Sequence, residues 1–290
     1  MMGLQAKELW FTENYSDGAR FSIRIDAQVY THKSRFQQID LYDTPEFGRV
    51  LVLDGCVMLT EKDEFIYHEM IVHPAMAVHP DIKRVLVIGG GDGGCVRELL
   101  QYDTIESIDM CEIDREVIEA CRRFLPQTAS RLDDIRVELH IADGLKFVRR
   151  QKNAYDLIIV DSTDPFGPGE GLFTREFYGN CYGALTENGI LINQHESPYY
   201  RGDALAMQRA HRQLSAVFPT AKVYQVHIPT YPSGHWLFGF ASKNTECDPC
   251  VFDEEHWNSL GLKTRYYNTA LHKGSFALPN YVKDLLSGKE

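Results

Sequence analysis

The sequence has no long hydrophobic run and no excess of positive charge. Its apolar stretches, such as VLVI and LIIV, are far too short to cross a bilayer. Lysine and arginine number 30 against 41 acidic residues, and the resulting net charge of −11 argues against a nucleic-acid partner. The stretch MMGLQAKELWFTE has no basic segment leading into an apolar core, so we expect no secretory signal, no membrane partner and a cytoplasmic location.

The sequence also lacks the cysteine patterns typical of disulfide frameworks and zinc sites. Its 7 cysteines are an odd number, and several fall in apolar segments, which suits buried thiols in a reducing compartment. Cys247 and Cys250 have C-x-x-C spacing, but a zinc site needs two further ligands and no second C-x-x-C is present. We therefore expect a surface turn at 247–250 and no bound metal.

The order of apolar segments predicts an α/β protein with two parts. Before residue 80 strands and turns alternate, and RVLVLDGCVML is two apolar runs joined by Asp54-Gly55, which is typical of a β-hairpin. From Lys83 onwards apolar runs alternate with helix-like stretches, which indicates a parallel sheet covered by helices on both faces. KVYQVHIP and HWLFGFAS predict a closing hairpin. We predict a small N-terminal β-rich domain over 1–80 and a Rossmann-like, doubly wound domain over 81–290.

The loop after the first strand of the second part is rich in glycine. In IGGGDGGC, Gly89-x-Gly91-x-x-Gly94 matches the dinucleotide fingerprint, and ligands of such sheets bind at the carboxyl ends of the strands. Asp92 lies inside this loop, and its charge would repel the pyrophosphate that such loops bind through backbone N–H groups. A neutral or cationic nucleoside therefore fits the loop better than a dinucleotide.

Acidic residues stand at the ends of the next two strands. Glu112, in CEID, could accept both hydroxyls of a ribose, or it could cap the following helix. Asp143, followed by Gly144, could accept a hydrogen bond from an adenine amine, with a helix cap again as the alternative. A glycine loop, a ribose acid and an adenine acid at successive strand ends predict an adenosine pocket of the kind that S-adenosylmethionine enzymes use.

Asp92 indicates which adenosyl sulfonium compound fits. An ordinary methyltransferase holds the amino-acid carboxylate of its cofactor near the glycine loop, and Asp92 would repel that carboxylate. The same side chain would attract a primary ammonium. Decarboxylated S-adenosylmethionine has lost the carboxylate and kept the amine, and its transferable group is aminopropyl instead of methyl.

Two carboxylates stand at the end of the fourth strand. LIIVD ends on Asp161, and Asp164 follows three residues later. Like charges at the mouth of a buried strand repel each other and are costly to desolvate, so we expect a cation between them. The alternative is a turn begun by Asp164-Pro165, with Asp161 as the cap of the next segment.

Together these segments resemble the polyamine aminopropyltransferase family, and within it the spermidine-forming members. The matching stretches extend from about Ser34 to Pro279 and include FGRVLVLDG, DEFIYHEM, VIGGGDGG, VDSTDP and IPTYPSG. The resemblance implies a sheet of the S-adenosylmethionine methyltransferase type. It implies direct in-line transfer of an aminopropyl group from decarboxylated S-adenosylmethionine, as co-substrate, to putrescine, giving spermidine and methylthioadenosine. It also implies no tightly bound cofactor, no metal, and a homodimer or homotetramer built through the N-terminal sheet.

The resemblance also implies roles for individual residues. Asp161 would accept a proton from the attacking amine, because an alkylammonium ion has no lone pair until it loses one. The residues implied to contact the diamine or the aminopropyl group are Tyr67, His68, Asp92, Asp161, Ser162, Asp164, Gln194 and Tyr231. Those implied to contact the nucleoside are Gln37, Gly89, Gly91, Glu112, Ile113, Asp143, Gly144 and Pro168.

Several points stay open on the sequence alone. His68 stands where some family members carry glutamine, so its contact is not determined. Glu196 borders the acceptor pocket and could reach a longer amine, which leaves cadaverine, spermidine and agmatine as further acceptors. Residues 165–171 are either a plain surface loop or a gate that orders over the substrates. A methyltransferase acting on a small amine and a catalytically silent polyamine-binding regulator remain as alternative functions.

Overall fold

The N-terminal part of the molecule consists of antiparallel strands. The computed structural model describes residues 8–162 and 167–288. The first strands are β1 (Leu9–Ser16), β2 (Ala19–Ile25), β3 (Ala27–Lys33), β4 (Gln38–Thr44), β5 (Gly48–Leu53) and β6 (Cys56–Thr60). β1 and β2 form a pair of their own, and β3 to β6 form a four-stranded sheet in sequence order. The predicted β-rich start is confirmed.

The turn between β5 and β6 shows how local sequence determines this sheet. Asp54 and Gly55 have φ values of 48° and 87°, which are the signs that a type I′ hairpin turn requires. Oδ1 of Asp54 also accepts the backbone N–H of Gln38 at 2.9 Å, and this bond ties the turn to β4. The predicted Asp-Gly hairpin is therefore present.

The second part contains a large mixed sheet with helices on both faces. Its helices are α1 (Glu64–Val78), α2 (Gly94–Leu99), α3 (Arg115–Phe124), α4 (Pro126–Ala129), α5 (Gly144–Val148), α6 (Arg175–Ala184), α7 (Arg201–Ser215), α8 (Glu254–Ser259), α9 (Thr269–Ser275) and α10 (Asn280–Leu286), with 3₁₀ helices at Gly167–Phe173 and Pro232–Gly234. Its strands are β7 (Arg84–Gly89), β8 (Ser107–Glu112), β9 (Val137–Ile141), β10 (Tyr155–Asp161), β11 (Leu185–Gln194), β12 (Thr220–His227) and β13 (His235–Ser242).

The strand order of this sheet is β12-β13-β11-β10-β7-β8-β9. The strands β7 to β11 are parallel, and β12 and β13 close one edge as an antiparallel hairpin. The predicted Rossmann-like sheet and the predicted closing hairpin are both confirmed. From β7 the chain continues to β8 and β9 on one side and returns to β10 and β11 on the other, so the carboxyl ends of β7 and β10 flank the crevice of a doubly wound sheet.

Gly89 permits the close approach of these two strand ends. It pairs in register with Asp161 and has a φ of 85°. A Cβ at this position would lie 2.0 Å from the carbonyl oxygen of Asp161, a distance that no side chain tolerates. The first glycine of the fingerprint therefore serves the contact between β7 and β10.

Helix α1 is buried almost all round and supports the crevice from one side. Its residues contact β10, β11 and β12, and a continuous apolar core runs from β4 through α1 into β7. One buried polar group of α1 is satisfied by a distant part of the chain: the carboxylate of Glu69 accepts three backbone N–H groups of residues 265–267, each at 2.8 Å. Helix α1 lies before residue 80 and yet packs on the large sheet. The proposed domain boundary at residue 80 therefore stays a prediction. No helix in the described ranges has the length and apolar character needed to cross a membrane.

Candidate active site

Two adjoining cavities lie at the carboxyl ends of the central strands. The first has a volume of about 260 Å³ and is enclosed by the ends of β7, β8 and β10, by α1 and by the N-terminal sheet. The second has a volume of about 340 Å³ and lies between β1, β6, the end of β11 and the start of α7. Tyr67, Ser162 and Tyr231 line both cavities, so one ligand could extend from one to the other.

The fold brings most of the predicted site residues together. Those that line the first cavity are Gln37, Tyr67, His68, Gly89, Gly91, Asp92, Glu112, Ile113, Asp143, Gly144, Asp161, Ser162 and Tyr231. Gln194 lines the second cavity. Asp164 lies outside the described residues, and so does the side chain of Pro168, although its backbone belongs to the 3₁₀ helix Gly167–Phe173. The suggested gate at 165–171 falls partly on undescribed residues and stays a prediction.

Asp161 is held by one donor on each carboxylate oxygen. The hydroxyl of Tyr67 donates to Oδ1 at 2.7 Å, and the thiol of Cys95, the second residue of α2, donates to Oδ2 at 3.1 Å. Burial and the nearby carboxylate of Asp92 raise the pKa of Asp161, while the charge of His68 and both donors oppose this rise. The result is a fixed carboxylate that binds a proton more readily than an exposed aspartate does. Sequence reasoning missed Cys95.

Asp92 is paired within the protein. Its Oδ1 accepts the backbone N–H of Gly94 at 2.7 Å and lies 3.1 Å from Nε2 of His68. Nδ1 of His68 lies 2.5 Å from Glu64, which in turn pairs with Arg97. Burial alone would raise the pKa of Asp92, but the charge and hydrogen bond of His68 lower it. Asp92 is therefore ionised in the first cavity.

Glu112 is buried beside the glycine loop and does not cap the next helix. The cap of α3 is Asp114, which accepts the N–H of Glu116 at 3.1 Å, so the helix-cap alternative for Glu112 is wrong. Glu112 accepts the N–H of Asp114 through Oε1. Burial raises its pKa to about 7. A Cβ on Gly91 would lie 3.1 Å from Oε2, so the absence of a side chain there keeps the carboxylate in contact with the loop.

Asp143 does serve as a helix cap. Its Oδ1 accepts the N–H groups of Leu145 and Lys146 at 3.0 and 3.3 Å at the start of α5. It also lines the first cavity, so a further role toward a ligand is compatible with the cap. On the opposite wall Gln37 donates to Oδ2 of Asp114 at 3.1 Å, and this bond joins the N-terminal sheet to the start of α3.

The second cavity is lined by aromatic rings and carboxylates. The rings of Tyr67 and Tyr231 are 5.9 Å apart, and Trp236 lies 4.9 Å beyond Tyr231. Gln194 donates to Oε1 of Glu196 at 2.9 Å. Further acidic lining residues are Glu13 and Asp203. Aromatic faces together with carboxylates are typical of sites for organic cations. Sequence reasoning missed Glu13, Asp203 and Trp236, which come from distant segments and carry no motif.

The structure also shows the positions of the cysteines and of the side-chain groups that could bind a metal ion. All 7 cysteines are free thiols, and both Cys247 and Cys250 are half-buried in a segment of turns. Within the described ranges, groups that could hold a metal ion occur at His68, Asp92 and Asp161 and, on the sheet surface, at Asp109, Glu138 and His140. The C-x-x-C pair belongs to neither group.

Comparison with known proteins gives consistent matches over nearly the whole chain. Residues 64–250 match the family model described as the spermine/spermidine synthase domain, and residues 9–61 match the spermidine synthase tetramerisation domain. The polyamine aminopropyltransferase of Clostridium perfringens is 66% identical over 279 residues, covering 96% of this chain and 98% of that protein. The polyamine aminopropyltransferase of Alkaliphilus oremlandii is 63% identical over 284 residues, covering 98% and 99%.

Solved structures show the same similarity. A crystal structure of spermidine synthase in complex with the transition-state analogue AdoDATO superposes with a TM-score of 0.93 at 45% identity, covering 96% of this chain and 95% of that chain. Spermidine synthase from Thermotoga maritima superposes with a TM-score of 0.92 at 44% identity, covering 97% and 95%.

Proposed function

The chain belongs to the spermine/spermidine synthase family and is an aminopropyltransferase, and from that premise we propose that it transfers the aminopropyl group of decarboxylated S-adenosylmethionine to putrescine. The products are spermidine and methylthioadenosine. The observation that carries this proposal is the position of Asp161 in the first cavity, bonded to Tyr67, a residue that also lines the second. A carboxylate so placed can act on an amine that enters from the second cavity.

The first cavity suits the donor. Glu112, Asp143 and Gly144 line this cavity, and we propose that Glu112 accepts the ribose hydroxyls while Asp143 and Gly144 contact the adenine. The further proposed nucleoside contacts are Gln37, Gly89, Gly91, Ile113 and Pro168. The ionised carboxylate of Asp92 receives the primary ammonium of the donor and would repel the carboxylate of S-adenosylmethionine itself. This charge argument favours aminopropyl transfer over methyl transfer. The donor is a co-substrate, and the reaction needs no tightly bound cofactor.

The second cavity suits the acceptor. Putrescine would lie between the rings of Tyr67 and Tyr231, with Ser162 beside the attacking amine. Asp164 is proposed as a further contact on the sequence alone. Its distal ammonium would point toward Gln194 and the neighbouring carboxylates of the second cavity. Since that cavity holds several acidic side chains, cadaverine and longer amines belong in the acceptor panel.

Asp161 supplies the proton acceptor of the reaction. The attacking ammonium gives one proton to Asp161, and its freed lone pair attacks the carbon next to the sulfonium while methylthioadenosine leaves. Burial and Asp92 raise the pKa of Asp161, which makes it a better base than an exposed aspartate. Positioned general bases contribute about 10²- to 10⁴-fold to a rate, and holding both cations in line contributes further.

The N-terminal strands, both the β1–β2 pair and the four-stranded sheet, are the proposed assembly surface. Residues 9–61 match a tetramerisation domain, and Leu9 and Trp10 on β1 are 56% and 55% exposed in the single chain. Large apolar side chains on an edge strand are typical of a surface that another copy covers. We expect a homodimer or homotetramer joined there, which size-exclusion chromatography with light scattering would measure.

The test is methylthioadenosine release, followed by mass spectrometry. Wild type, Asp161→Asn and the control Asp133→Asn would be incubated with decarboxylated S-adenosylmethionine and a panel of diamines and polyamines. Asp133 is an exposed surface aspartate, so its variant should match wild type. We expect release with putrescine to fall about 10²- to 10⁴-fold in Asp161→Asn. Absence of release with every amine would overturn the proposal, and turnover with S-adenosylmethionine as donor would favour the methyltransferase.

A further inference from the structure

His68 is a buried side chain with a carboxylate at each ring nitrogen. Its side chain is 2% exposed. Nδ1 lies 2.5 Å from Oε2 of Glu64, one helical turn earlier on α1, and Nε2 lies 3.1 Å from Oδ1 of Asp92 in the glycine loop. A Cβ on Gly94 would lie 2.2 Å from Cε1 of the ring, so the imidazole packs directly on the backbone of that loop.

Both carboxylates are ionised. Arg97 donates to the two oxygens of Glu64 at 2.8 and 3.0 Å, and His68 together with Arg97 lowers the pKa of Glu64 to about 2 against the effect of burial. Oδ1 of Asp92 accepts the backbone N–H of Gly94 at 2.7 Å, a hydrogen bond that favours the ionised carboxylate whatever the charge of His68, and the pKa of Asp92 is lowered. A neutral imidazole has one N–H and one lone pair and could serve only one of these carboxylates. The geometry therefore makes His68 an imidazolium, and its pKa is raised by Asp92 and Glu64 against the effect of burial.

Among the described residues, the imidazolium of His68 is the cation that pairs with Asp92. Asp161, at the end of β10, adds a second carboxylate, and the ligand atoms of these three residues lie within 4.8 Å of one another. Tyr67 and Cys95 are neutral donors to Asp161. Arg97 is directed to the far side, toward Glu64 and Glu98. A protonated His68 has no lone pair for a metal, so the cluster as it stands suits hydrogen-bonded cations better than metal ligation.

A second cation in this cluster creates a conflict. The proposed function, on which this inference rests, places the primary ammonium of the donor at Asp92, beside the imidazolium. Two like charges in a desolvated cluster repel strongly. The group that gives up its charge is the imidazolium, because its ordinary pKa is about 6.5 and that of a primary ammonium is about 10.4.

We propose that binding of the donor's primary ammonium at Asp92 displaces one proton from His68, so that the histidine exchanges its bond to Asp92 for a bond to the ligand. The proton leaves from Nε2 to solvent. Nδ1 keeps its hydrogen and its bond to Glu64, and the Nε2 lone pair accepts a hydrogen bond from the ammonium. One cation replaces another, so the total charge of the cluster is unchanged.

Isothermal titration calorimetry of the full chain near pH 7.5 tests this exchange. Decarboxylated S-adenosylmethionine and methylthioadenosine are each titrated in phosphate and in Tris, buffers whose ionisation enthalpies differ. The difference in observed enthalpy gives the number of protons released. Methylthioadenosine has the same nucleoside without the ammonium and without the sulfonium charge, so it corrects for protons that Glu112, with a pKa of about 7, releases on contact with ribose. We expect about one more proton released with the donor than with methylthioadenosine.

His68→Gln is the matched variant, because glutamine can bond neighbouring groups and cannot titrate. In this variant we expect equal proton counts for the two ligands. In wild type the affinity for the donor should increase by up to about tenfold for each unit of rising pH. This holds between the pKa of His68 in the donor complex and its higher pKa in the free protein, and the variant should lose this dependence. If the variant fails to bind methylthioadenosine, Asp161→Asn decides instead: an extra proton that is still released in that variant supports the exchange, and its loss assigns the release to Asp161 and overturns the exchange.

The outcomes separate this inference from the proposed function. Equal proton counts for the two ligands in wild type would overturn the exchange while leaving the function intact. If the donor still releases an extra proton in His68→Gln, the release belongs to Asp161 and the exchange is overturned as well. If neither nucleoside binds to wild type, the proposed function fails and the exchange fails with it.

Discussion

Two buried histidines, one lining the first cavity and one in the core next to Gln194, have opposite electrostatic character. His68 has a carboxylate at each ring nitrogen, and its pKa is raised well above 6.5. His195 follows Gln194 at the end of β11 and is fully buried; burial and the ring of His211, 5.6 Å away, lower its pKa well below 6.5. Its Nδ1 meets the amide of Asn193 at 3.0 Å, and Nε2 has no hydrogen-bond partner in the described structure.

The comparison shows that burial alone does not decide the charge of a histidine. Both rings pack on a glycine, since a Cβ on Gly94 or Gly239 would come within 3.0 Å of the adjacent ring. Both are removed from water, which favours the neutral form. What differs is the partner: ionised carboxylates for His68, and an amide and a second imidazole for His195. The first cluster is thereby equipped to bind and exchange cations, whereas the second is a neutral part of the core.

The largest effect should follow from breaking the charge balance at His68. Glu64→Gln leaves Arg97 and the imidazolium without their shared buried countercharge. Breaking a buried ion pair in this way costs about 3–5 kcal/mol of the free energy of unfolding, measured by urea denaturation. Glu106→Gln is the control, because Glu106 is an exposed residue paired with Lys83 and such pairs contribute about 0–1 kcal/mol. Equal losses of unfolding free energy in Glu64→Gln and Glu106→Gln would show that the buried pairing of Glu64 contributes no more than an exposed ion pair.

The pH dependence of stability should separate the two histidines by sign. His195 has a lowered pKa in the folded chain, so its contribution is present above pH 6.5, the ordinary value, and is lost as the pH falls. His68 has a raised pKa, so its contribution is complete below pH 6.5 and is lost as the pH rises through the folded-state pKa. Each slope is at most about 1.4 kcal/mol per pH unit.

Urea unfolding of wild type, His68→Gln and His195→Gln between about pH 5.5 and 8.5 measures these slopes. The difference between wild type and His195→Gln should grow as the pH rises from the acidic end to about 6.5. The difference between wild type and His68→Gln should be largest in acid and shrink at alkaline pH. Slopes of the same sign for the two variants would show that the two clusters have the same charge state.

The smallest effect concerns the thiol of Cys95, which donates to Asp161. In Cys95→Val, Oδ2 of Asp161 loses its donor, so the pKa of Asp161 rises further. A hydrogen bond contributes about 0.5–1.5 kcal/mol, so the acidic limb of kcat/KM should move about 0.5 to 1 pH unit upward. Cys95→Ser keeps a donor and should return the limb toward that of wild type. An unmoved limb in Cys95→Val would show that Asp161 does not control it.

Much of the candidate site could be predicted because its residues stand next to strand ends. The apolar runs determine where the strands lie, and glycine and aspartate at the ends determine the loops, so Gly89, Glu112, Asp143 and Asp161 could be placed in one crevice. The same information could not tell which acid of CEID caps α3, because Glu112 and Asp114 are two residues apart. The path of the backbone after β8 makes Asp114 the cap.

The sequence by itself determined the order of the elements, the β-hairpin at Asp54-Gly55, the crevice and the acids around it, because each depends on residues adjacent along the chain. Only the tertiary structure decided which groups pair. Cys95 meets Asp161 across a separation of 66 residues, because α2 follows β7 and β7 pairs with β10. Arg97 meets Glu64 across 33, because α2 packs on α1. The charge of a buried group depends on such distant partners, so the contrast between His68 and His195 exists only in the folded chain.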